Sequence, residues 1–324
     1  MKCLRDNKVE STSKNPNKVV KRRKFPKIVL ALIIIFIIAS SFIVYSTSKN
    51  GWGMQGILAT IMGHNQNTKK ELGEIQVLLL GVSNDISSKL TDTIIVATYN
   101  PDTQKASLLS IPRDTYIGSN RKTATSYDKI NSVYQKGPER VLQEVNEITG
   151  LDLKYYIVIE IDALVQLVDA IGGVKFNVPI NMNYDDSTQN LHIHLKSGEQ
   201  QLNGKQAEGL VRFRHNNNGT TYSSEYGDND IGRMKTQRNF IITVVKQTIQ
   251  LKNIFKIGEI VDIAYKNIET NLDINIIKNY IPYAIEFDIN NIETMTLPGE
   301  SKKLNKLWFF IQNKEETKNL LDNL

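Results

Sequence analysis

The residues best suited to chemistry lie in an arginine-rich stretch, Gly209–Phe240. Arg212 and Arg214 stand two apart, so on an extended segment both side chains leave by the same face. Arg233 and Gln237 stand four apart and share one face of a helix. A guanidinium donates paired hydrogen bonds to phosphate or carboxylate oxygens, so this pattern favours a pocket for a polyanionic, phosphorylated ligand. Taken alone, however, a basic cluster is more often a solvated surface.

Further charged residues stand where predicted strands begin or end. Asp92 precedes the β-branched run at 94–99, and Arg113 and Asp114 follow the run at 105–111. Binding sites in open α/β sheets form at such strand ends. Several arginines with one or two carboxylates suit a diphosphate, because arginine neutralises its oxygens and carboxylates hold Mg²⁺. A simple turn at Asp92 and a structural ion pair at Arg113 and Asp114 remain alternatives.

The elements that must position these residues alternate between strand and helix. Apolar or β-branched runs predict strands, and apolar residues at helical spacing between capping signals predict helices. We predict an α/β fold, an α-β-α sandwich on a mixed central sheet. The predicted strands are 75–81, 94–99, 105–111, 155–161, 174–178, 191–195 and 292–297, and the predicted helices are 54–62, 138–149, 163–171, one capped by Asn203, 231–252, one near 274–285, and 308–321.

The N-terminal part of the chain divides into a basic tail and an apolar run. Residues 1–27 are polar, and the uncharged run that follows has the length of a bilayer-spanning helix. We therefore predict a cytoplasmic tail at 1–27, a transmembrane signal anchor at 28–46, a juxtamembrane linker at 47–74 and an extracytoplasmic catalytic domain at 75–324. Positive charge before the span keeps the N-terminus in the cytoplasm. A cleaved signal peptide and a buried core helix are the alternatives.

Charge and cysteine content exclude two classes of function for the outer domain. The whole chain carries a net charge of +6, whereas residues 1–27 carry ten basic and two acidic side chains, a net of +8. The remainder therefore comes to about −2, which argues against nucleic-acid binding by that domain. The single cysteine, Cys3, lies in the tail, so the domain has neither disulfides nor thiol chemistry.

Two histidines, His192 and His194, alternate on a predicted strand. A zinc site needs at least a third protein ligand, and the neighbouring sequence shows none. We therefore interpret them as an exposed pair. The chain also lacks a nucleophile elbow, a P-loop and a glycine-rich dinucleotide fingerprint.

Several motifs together resemble the LytR-CpsA-Psr family over about residues 75–250. In order, they are LLLG, TDTIIVATYNP, KASLLSIPRDTY, DKINSVY, DALVQLVDAIGGV, VRFRH and GDNDIGRMKTQR. The resemblance implies an α/β sandwich with a long apolar pocket for a polyprenyl chain. It also implies a membrane-anchored phosphotransferase that moves a glycopolymer, such as a teichoic acid or capsule, from undecaprenyl pyrophosphate to peptidoglycan.

The resemblance assigns roles to individual residues. Asp92 matches a ligand of the Mg²⁺ or Mn²⁺ ion on the pyrophosphate, and Arg113 matches the arginine that contacts phosphate and is needed for transfer. The resemblance implies that four arginines and one glutamine bind the pyrophosphate: Arg113, Arg212, Arg214, Arg233 and Gln237. The family usually has an aspartate where this chain has Ser83, so Asp85 is the predicted replacement ligand.

Two other functions remain open at this point. The first is a non-catalytic protein that binds a polyprenyl-pyrophosphate-linked glycopolymer, which the change at Ser83 allows. The second is a transcriptional attenuator, a label that members of this family have carried. The predicted topology disfavours the second, because it places the globular domain on the side of the membrane without DNA.

Overall fold

The computed structural model describes residues 27–82, 90–227, 229–248, 257–285, 287–288 and 291–322. The chain divides into two compact units, Met1–Tyr45 and Ser46–Leu324. Within the described part of the chain, no helix is both long and apolar enough to cross a bilayer, so the anchor predicted at 28–46 is not found there.

The described part of the chain contains runs of one to four strands separated by helices, rather than the regular alternation that the sequence predicts. The helices are α1 (Lys27–Asn50), α2 (Gly53–Ile61), α3 (Thr68–Leu72), α4 (Pro138–Thr149), α5 (Ile161–Ala170), α6 (Gly204–Arg212), α7 (Asn229–Thr248), α8 (Ile257–Lys266), α9 (Ile274–Ala284) and α10 (Lys314–Asp322). The strands are β1 (Ile75–Val82), β2 (Thr91–Asn100), β3 (Lys105–Ser110), β4 (Tyr155–Glu160), β5 (Val174–Val178), β6 (Met182–Asp186), β7 (Leu191–Leu195), β8 (Gly198–Leu202), β9 (Ile268–Thr270), β10 (Ile292–Thr296), β11 (Gly299–Leu304) and β12 (Leu307–Gln312).

The central sheet has six strands in the order β10-β3-β2-β1-β4-β9. Neighbouring pairs β1–β4 and β3–β10 are parallel, and pairs β1–β2, β2–β3 and β4–β9 are antiparallel. The predicted mixed sheet is therefore confirmed. Because β2 runs opposite to its neighbours, its first residues lie at the same edge as the last residues of β1, β3 and β4. That edge is where the sequence places its charged residues.

Two apolar cores are present, and the first of them includes residues of this sheet. One core joins alternate β1 residues, Leu78 and Leu80, to Val141 and Val145 of α4. The other joins α5, α6 and α7 to the antiparallel pair β5–β8 and to the β6–β7 hairpin, and it contains the fully buried Phe240. Helices thus lie on both sides of the sheet, and the second core forms the floor beneath the charged edge.

The segment predicted to be a linker, 47–74, carries α2 and α3. The ring of His64, which follows α2, lies with Nδ1 3.0 Å from the Tyr283 hydroxyl of α9. Tyr280 of the same helix donates a hydrogen bond to the Leu72 carbonyl oxygen at 2.8 Å. These contacts tie the segment to α9.

The closing helix predicted at 308–321 is wrong in its first half. Leu307–Gln312 is strand β12, which pairs antiparallel with β11. Phe309 and Ile311 are buried whereas Trp308 is exposed, so the apolar pattern here has a period of two. The helix begins only at Lys314.

A loop rich in asparagine follows α6 and lies along the free edge of β6. The Asn217 side chain accepts a hydrogen bond from the Asp185 N–H at 2.7 Å and donates one to the Asp185 carbonyl oxygen at 3.1 Å. Asn216 Oδ1 accepts from the Asn183 N–H at 2.6 Å. Side-chain amides thus occupy hydrogen-bonding positions that a further strand would take.

Candidate active site

A cavity of about 260 Å³ opens at the charged edge of the sheet. Its walls come from β1, β2, β4, α5, α6, the loop after α6, α7 and the β6–β7 hairpin. One part of the lining is polar and contains Asp92 and three of the predicted arginines. The rest is apolar and includes Leu79, Val82, Ile159, Leu164, Leu191 and Phe240. The cavity therefore presents cations and an apolar surface to the same ligand.

Asp92, at the start of β2, holds two guanidiniums together. Its Oδ1 lies 2.6 Å from Nη1 of Arg113 and 3.4 Å from Nη2 of Arg214. Arg113 itself is mostly buried, with 19% of its side chain exposed, and it stands behind Asp92 rather than in the cavity lining. The structure thus brings together residues from β2, the loop after β3 and the loop after α6.

Asp230 is a second carboxylate of this cluster, which the sequence reasoning missed. Its Oδ1 lies 3.1 Å from Nη2 of Arg233, and its Oδ2 lies 3.8 Å from Nη2 of Arg113. The signal was available, because Asp230 and Arg233 are three apart in the first turn of α7 and so share a face. Three guanidiniums and two carboxylates give the cluster of Arg113, Arg214, Arg233, Asp92 and Asp230 a net charge of +1.

Arg233 is the most deeply buried member of the cluster, with 3% of its side chain exposed. Burial, together with the nearby charge of Arg113, lowers its pKa from the usual arginine value to about 10, so it remains protonated at neutral pH. The Nε atoms of Arg233 and Arg113 are buried and have no hydrogen-bond partner among the residues that the structure describes. Buried donors of this kind are costly unless something accepts them, so the cluster is suited to an anionic ligand.

Gln237, one turn further along α7, links the cavity walls. Thr93 Oγ1 donates to its Oε1 at 2.9 Å, and its Nε2 donates to the Val211 carbonyl oxygen at 2.9 Å. Gly81 permits this arrangement, because a Cβ atom there would lie 2.9 Å from Cβ of Thr93. Gln237 therefore positions β2 against α6, with its amide engaged at both ends.

Arg212 and Arg214 do not lie on one extended segment, contrary to the sequence prediction. Arg212 is the last residue of α6, and Phe213, buried between them, ends the helix. Both arginines still line the cavity. Arg212 contacts Glu208 Oε1 at 2.8 Å and Gln189 Oε1 at 2.6 Å, so the hairpin turn helps to hold it.

Glu208 stays ionised although it is almost buried. Burial alone would raise its pKa, but hydrogen bonds from Lys205 and Arg212 outweigh it and lower the pKa. The Glu208 carboxylate thus fixes the Arg212 guanidinium at one end of the cavity.

The segment after β3 is anchored by the Asp-Lys-Ile-Asn motif. Lys129 Nζ lies 2.9 Å from Asp114 Oδ1, so Asp114 forms a structural ion pair with Lys129. The Asn131 N–H donates to the Arg113 carbonyl oxygen at 3.1 Å. The motif therefore holds the backbone from which the Arg113 side chain reaches Asp92.

Of the two predicted metal ligands, Asp92 and Asp85, the first lies among the residues that the structure describes. Asp92 lines the cavity, whereas Asp85 and Ser83 lie outside the described residues. Mg²⁺ is commonly held by one or two carboxylates, substrate phosphate oxygens and water. Asp92 fits such a donor set if it exchanges a guanidinium contact for the ion.

Comparison with known proteins places the chain among proteins of one family. The model of the LytR_cpsA_psr family matches residues 44–324. Polyisoprenyl-teichoic acid–peptidoglycan teichoic acid transferase TagU of Oceanobacillus iheyensis is 31% identical over 259 residues, which are 76% of this chain and 74% of TagU. Biofilm regulatory protein A of Streptococcus mutans is 28% identical over 296 residues, 85% of this chain and 70% of its own.

A solved structure shows the same fold. The crystal structure of B. subtilis TagV superimposes with a TM-score of 0.64 at 25% identity, covering 78% of this chain and 96% of that one. The family match thus spans the sheet, both cores and the cavity. The chain belongs to the LytR-CpsA-Psr family.

Proposed function

We propose that this protein is a phosphotransferase that moves a glycopolymer from a polyisoprenyl, specifically undecaprenyl, pyrophosphate carrier to peptidoglycan. The peptidoglycan hydroxyl attacks the phosphorus that bears the glycopolymer, and a phosphodiester forms. The bond to the bridging oxygen breaks, and undecaprenyl phosphate leaves with that oxygen. The family membership and the name of TagU, a transferase of polyisoprenyl-linked teichoic acid, support this reaction.

The observation that carries the proposal is the two-part lining of the cavity. Arg212, Arg214 and Arg233 stand beside an apolar surface built on Leu79, Leu164 and Phe240. A ligand that matches both parts has an anionic head joined to a hydrocarbon chain. Polyprenyl pyrophosphates have that chemistry, whereas a soluble nucleotide or sugar phosphate leaves the apolar part unmatched.

The proposed roles follow from position. Arg233, buried and cationic, and Arg214 bind the diphosphate, and Arg212 contributes from the end of α6. Arg113 reaches the diphosphate by exchanging its contact to Asp92, and stabilises the charge on the leaving phosphate. One of the two predicted carboxylates, Asp92 or Asp85, accepts the proton of the attacking hydroxyl. Gln237 keeps β2 and α6 at the spacing this requires.

The proposal includes a divalent ion, Mg²⁺ or Mn²⁺. Asp92 is its first proposed ligand, and Asp85, which lies outside the described residues, is its second. When bound, such an ion neutralises diphosphate oxygens. Removing divalent metal with a chelator is expected to abolish transfer, and added Mg²⁺ or Mn²⁺ to restore it. Transfer that continues unchanged in excess chelator would contradict this part of the proposal.

The proposed location is the cell membrane, with a single anchor, the N-terminus in the cytoplasm and the domain outside. It is supported by the ten basic residues of 1–27 and the uncharged apolar run after them. Protease added to intact cells is expected to degrade the domain but not the tail. Protection of the domain would contradict this location.

The test of the transfer reaction uses the full-length chain in detergent with a polyisoprenyl-pyrophosphate-linked glycopolymer and peptidoglycan fragments. Polymer-linked peptidoglycan and free polyisoprenyl phosphate should appear in equal amounts. Absence of both products, with no substrate binding, would overturn the proposal.

A non-catalytic binding protein is the second candidate. It is favoured by one observation: Asp92 Oδ1 is held by both Arg113 and Arg214, so its role as a base requires an exchange of partners. Stoichiometric binding of the lipid-linked substrate without product would support this candidate over the enzyme.

A further inference from the structure

The β6–β7 hairpin has a cavity face and a solvent face. Tyr184 and Leu191 point toward the cavity and line it. The alternate residues point the other way, because side chains in a strand alternate between faces. The solvent face carries Asn183, Asp185, His192 and His194, all of which are exposed.

The register of the hairpin groups three of these side chains. Asp185 pairs directly with His192, and Asn183 pairs with His194. Oδ1 of Asp185 lies 2.6 Å from Nδ1 of His192 and 3.2 Å from Nε2 of His194. The three potential ligand atoms all lie within 4.8 Å of one another. The third ligand that the sequence did not reveal is thus Asp185, seven residues before His192.

The orientation of His194 is fixed by a neighbouring amide. Its Nδ1 lies 2.8 Å from Oδ1 of Asn183. An amide oxygen only accepts hydrogen bonds, so Nδ1 carries the hydrogen. In the neutral ring Nε2 then presents a lone pair to the Asp185 carboxylate, and this approach is favourable only with a proton or a metal ion between the two atoms. An outer hydrogen bond from the other ring nitrogen is typical of metal-binding histidines.

We propose that Asp185, His192 and His194 form a binding site for a divalent transition-metal ion, with Zn²⁺ the best match. Two imidazoles and one carboxylate are established zinc ligands at about 2.0–2.2 Å, with water in the fourth position. Imidazole also suits this ion class better than it suits Mg²⁺, which prefers oxygen ligands. The shifts needed are small, because the ligand atoms already converge and about half of each side chain is exposed: 49% for Asp185, 56% for His192 and 58% for His194.

This site is separate from the cavity and does not depend on the proposed transferase activity. It lies on the opposite face of the hairpin from Tyr184, and it uses none of the cavity arginines. A bound ion joins β6 to β7 through side chains, in addition to their backbone hydrogen bonds. Its consequence for the cavity is a stiffer wall, because the same two strands carry Tyr184 and Leu191.

The test is zinc binding by the full-length chain in detergent, measured by competition with a chromophoric chelator. We expect one Zn²⁺ per chain at this site. His192→Ala, His194→Ala and Asp185→Asn should each weaken its affinity by at least about tenfold, and Asn183→Ala by about tenfold through loss of the orienting hydrogen bond. His215→Gln is the matched control and should leave the affinity unchanged, because His215 contacts Asn216 and lies outside the cluster.

Co²⁺ provides a second readout that identifies the ligands. The protein should show the visible bands of four-coordinate Co²⁺ without the thiolate charge-transfer band that Cys3 would produce. Circular dichroism of each variant confirms folding, which the exposed positions should preserve. Failure of the parent to bind Zn²⁺, or full binding in both histidine variants, would overturn the proposal.

Discussion

The arginine–carboxylate cluster of the cavity contains two mostly buried guanidiniums, whereas the histidine–aspartate cluster of the hairpin has no buried member. In the first, 3% of the Arg233 side chain and 19% of the Arg113 side chain are exposed, although Arg214 and Asp230 are about half exposed. In the second, about half of each side chain is exposed. The first joins residues as far apart as Asp92 and Arg214, and the second joins residues within a single hairpin. Burial makes the first a site where unmatched charge is costly, so it needs an anionic ligand. The second is a solvated site that only strand pairing assembles.

The largest expected effect on activity is that of replacing Arg113. Arg113→Ala should lower kcat for transfer by about 10³-fold, because it removes a cation that stabilises the leaving phosphate. Arg121→Ala, an exposed arginine on a short 3₁₀ turn, is the control and should transfer normally. Near-normal kcat in Arg113→Ala would remove this residue from the proposed mechanism.

Replacing the buried guanidinium should separate function from stability. Arg233→Met should weaken binding of a polyprenyl pyrophosphate by about 100-fold, since a desolvated charge pair is lost. The free energy of unfolding should stay constant or rise by about 1 kcal/mol, because a buried cation gives way to an apolar side chain. Binding by calorimetry and urea denaturation measure the two effects. A large loss of stability would show that Arg233 has a structural role instead.

The affinity of the cavity for the pyrophosphate should depend on pH. Because burial lowers the pKa of Arg233 to about 10, this affinity should fall by about tenfold per pH unit above that value. Binding titrations from about pH 8 to about pH 11 test this effect. Arg233→Met should lack that step.

The same shift affects stability above neutral pH. Above about pH 10, and up to the usual pKa of arginine, the folded chain has released the Arg233 proton whereas the unfolded chain retains it, so the contribution of Arg233 to the free energy of unfolding rises with pH. Below that window the contribution is constant and unfavourable.

A smaller effect on kcat is expected from replacing Gln237, which holds β2 against α6. Gln237→Met removes hydrogen bonds to Thr93 and Val211, and should cost about 1 kcal/mol of stability. We expect kcat to fall by about tenfold with little change in KM, because β2 and α6 lose their spacing. Thermal unfolding and steady-state kinetics measure both. Unchanged kcat would make Gln237 a purely structural residue.

The smallest effect is expected where the two regions meet. Gln189→Ala removes the hairpin contact to Arg212, while the Glu208 contact remains. An exposed contact of this kind is worth about 0.5 kcal/mol, so KM should rise by about twofold with kcat unchanged. A larger change would show that the hairpin controls the position of Arg212 more strongly than its geometry indicates.

Local patterns predicted five of the six strands of the central sheet, all but β9, and most helices, because apolar periodicity and capping residues are properties of short segments. The Asn203 cap is an example: its side chain accepts from the Gln206 N–H at 2.9 Å, as a helix start requires. The α/β class is likewise confirmed. A helix was wrongly predicted to begin at Trp308, because a short apolar run is compatible with either a helix or a strand. Pairing with β11 makes this segment a strand.

The two clusters show where prediction from the sequence ends. The cavity residues were found because their motifs occur in a recognisable order, although the role of Asp230 in joining Arg113 to Arg233 was missed. The roles assigned to these residues stay predictions. At the hairpin the sequence showed two histidines without a third ligand, since the pairing of Asp185 with His192 depends on strand register. Register is set by the turn and by burial of the opposite face.

The asparagine-rich loop after α6 has a consequence for solubility. An open strand edge invites pairing with another chain, and a short hairpin outside the main sheet is exposed to that risk. Here the amides of Asn216 and Asn217 already occupy backbone groups of β6. Replacing them with alanine would uncover the N–H of residue 183 and both the N–H and the carbonyl oxygen of residue 185, and copies of the protein would then be able to aggregate through this edge.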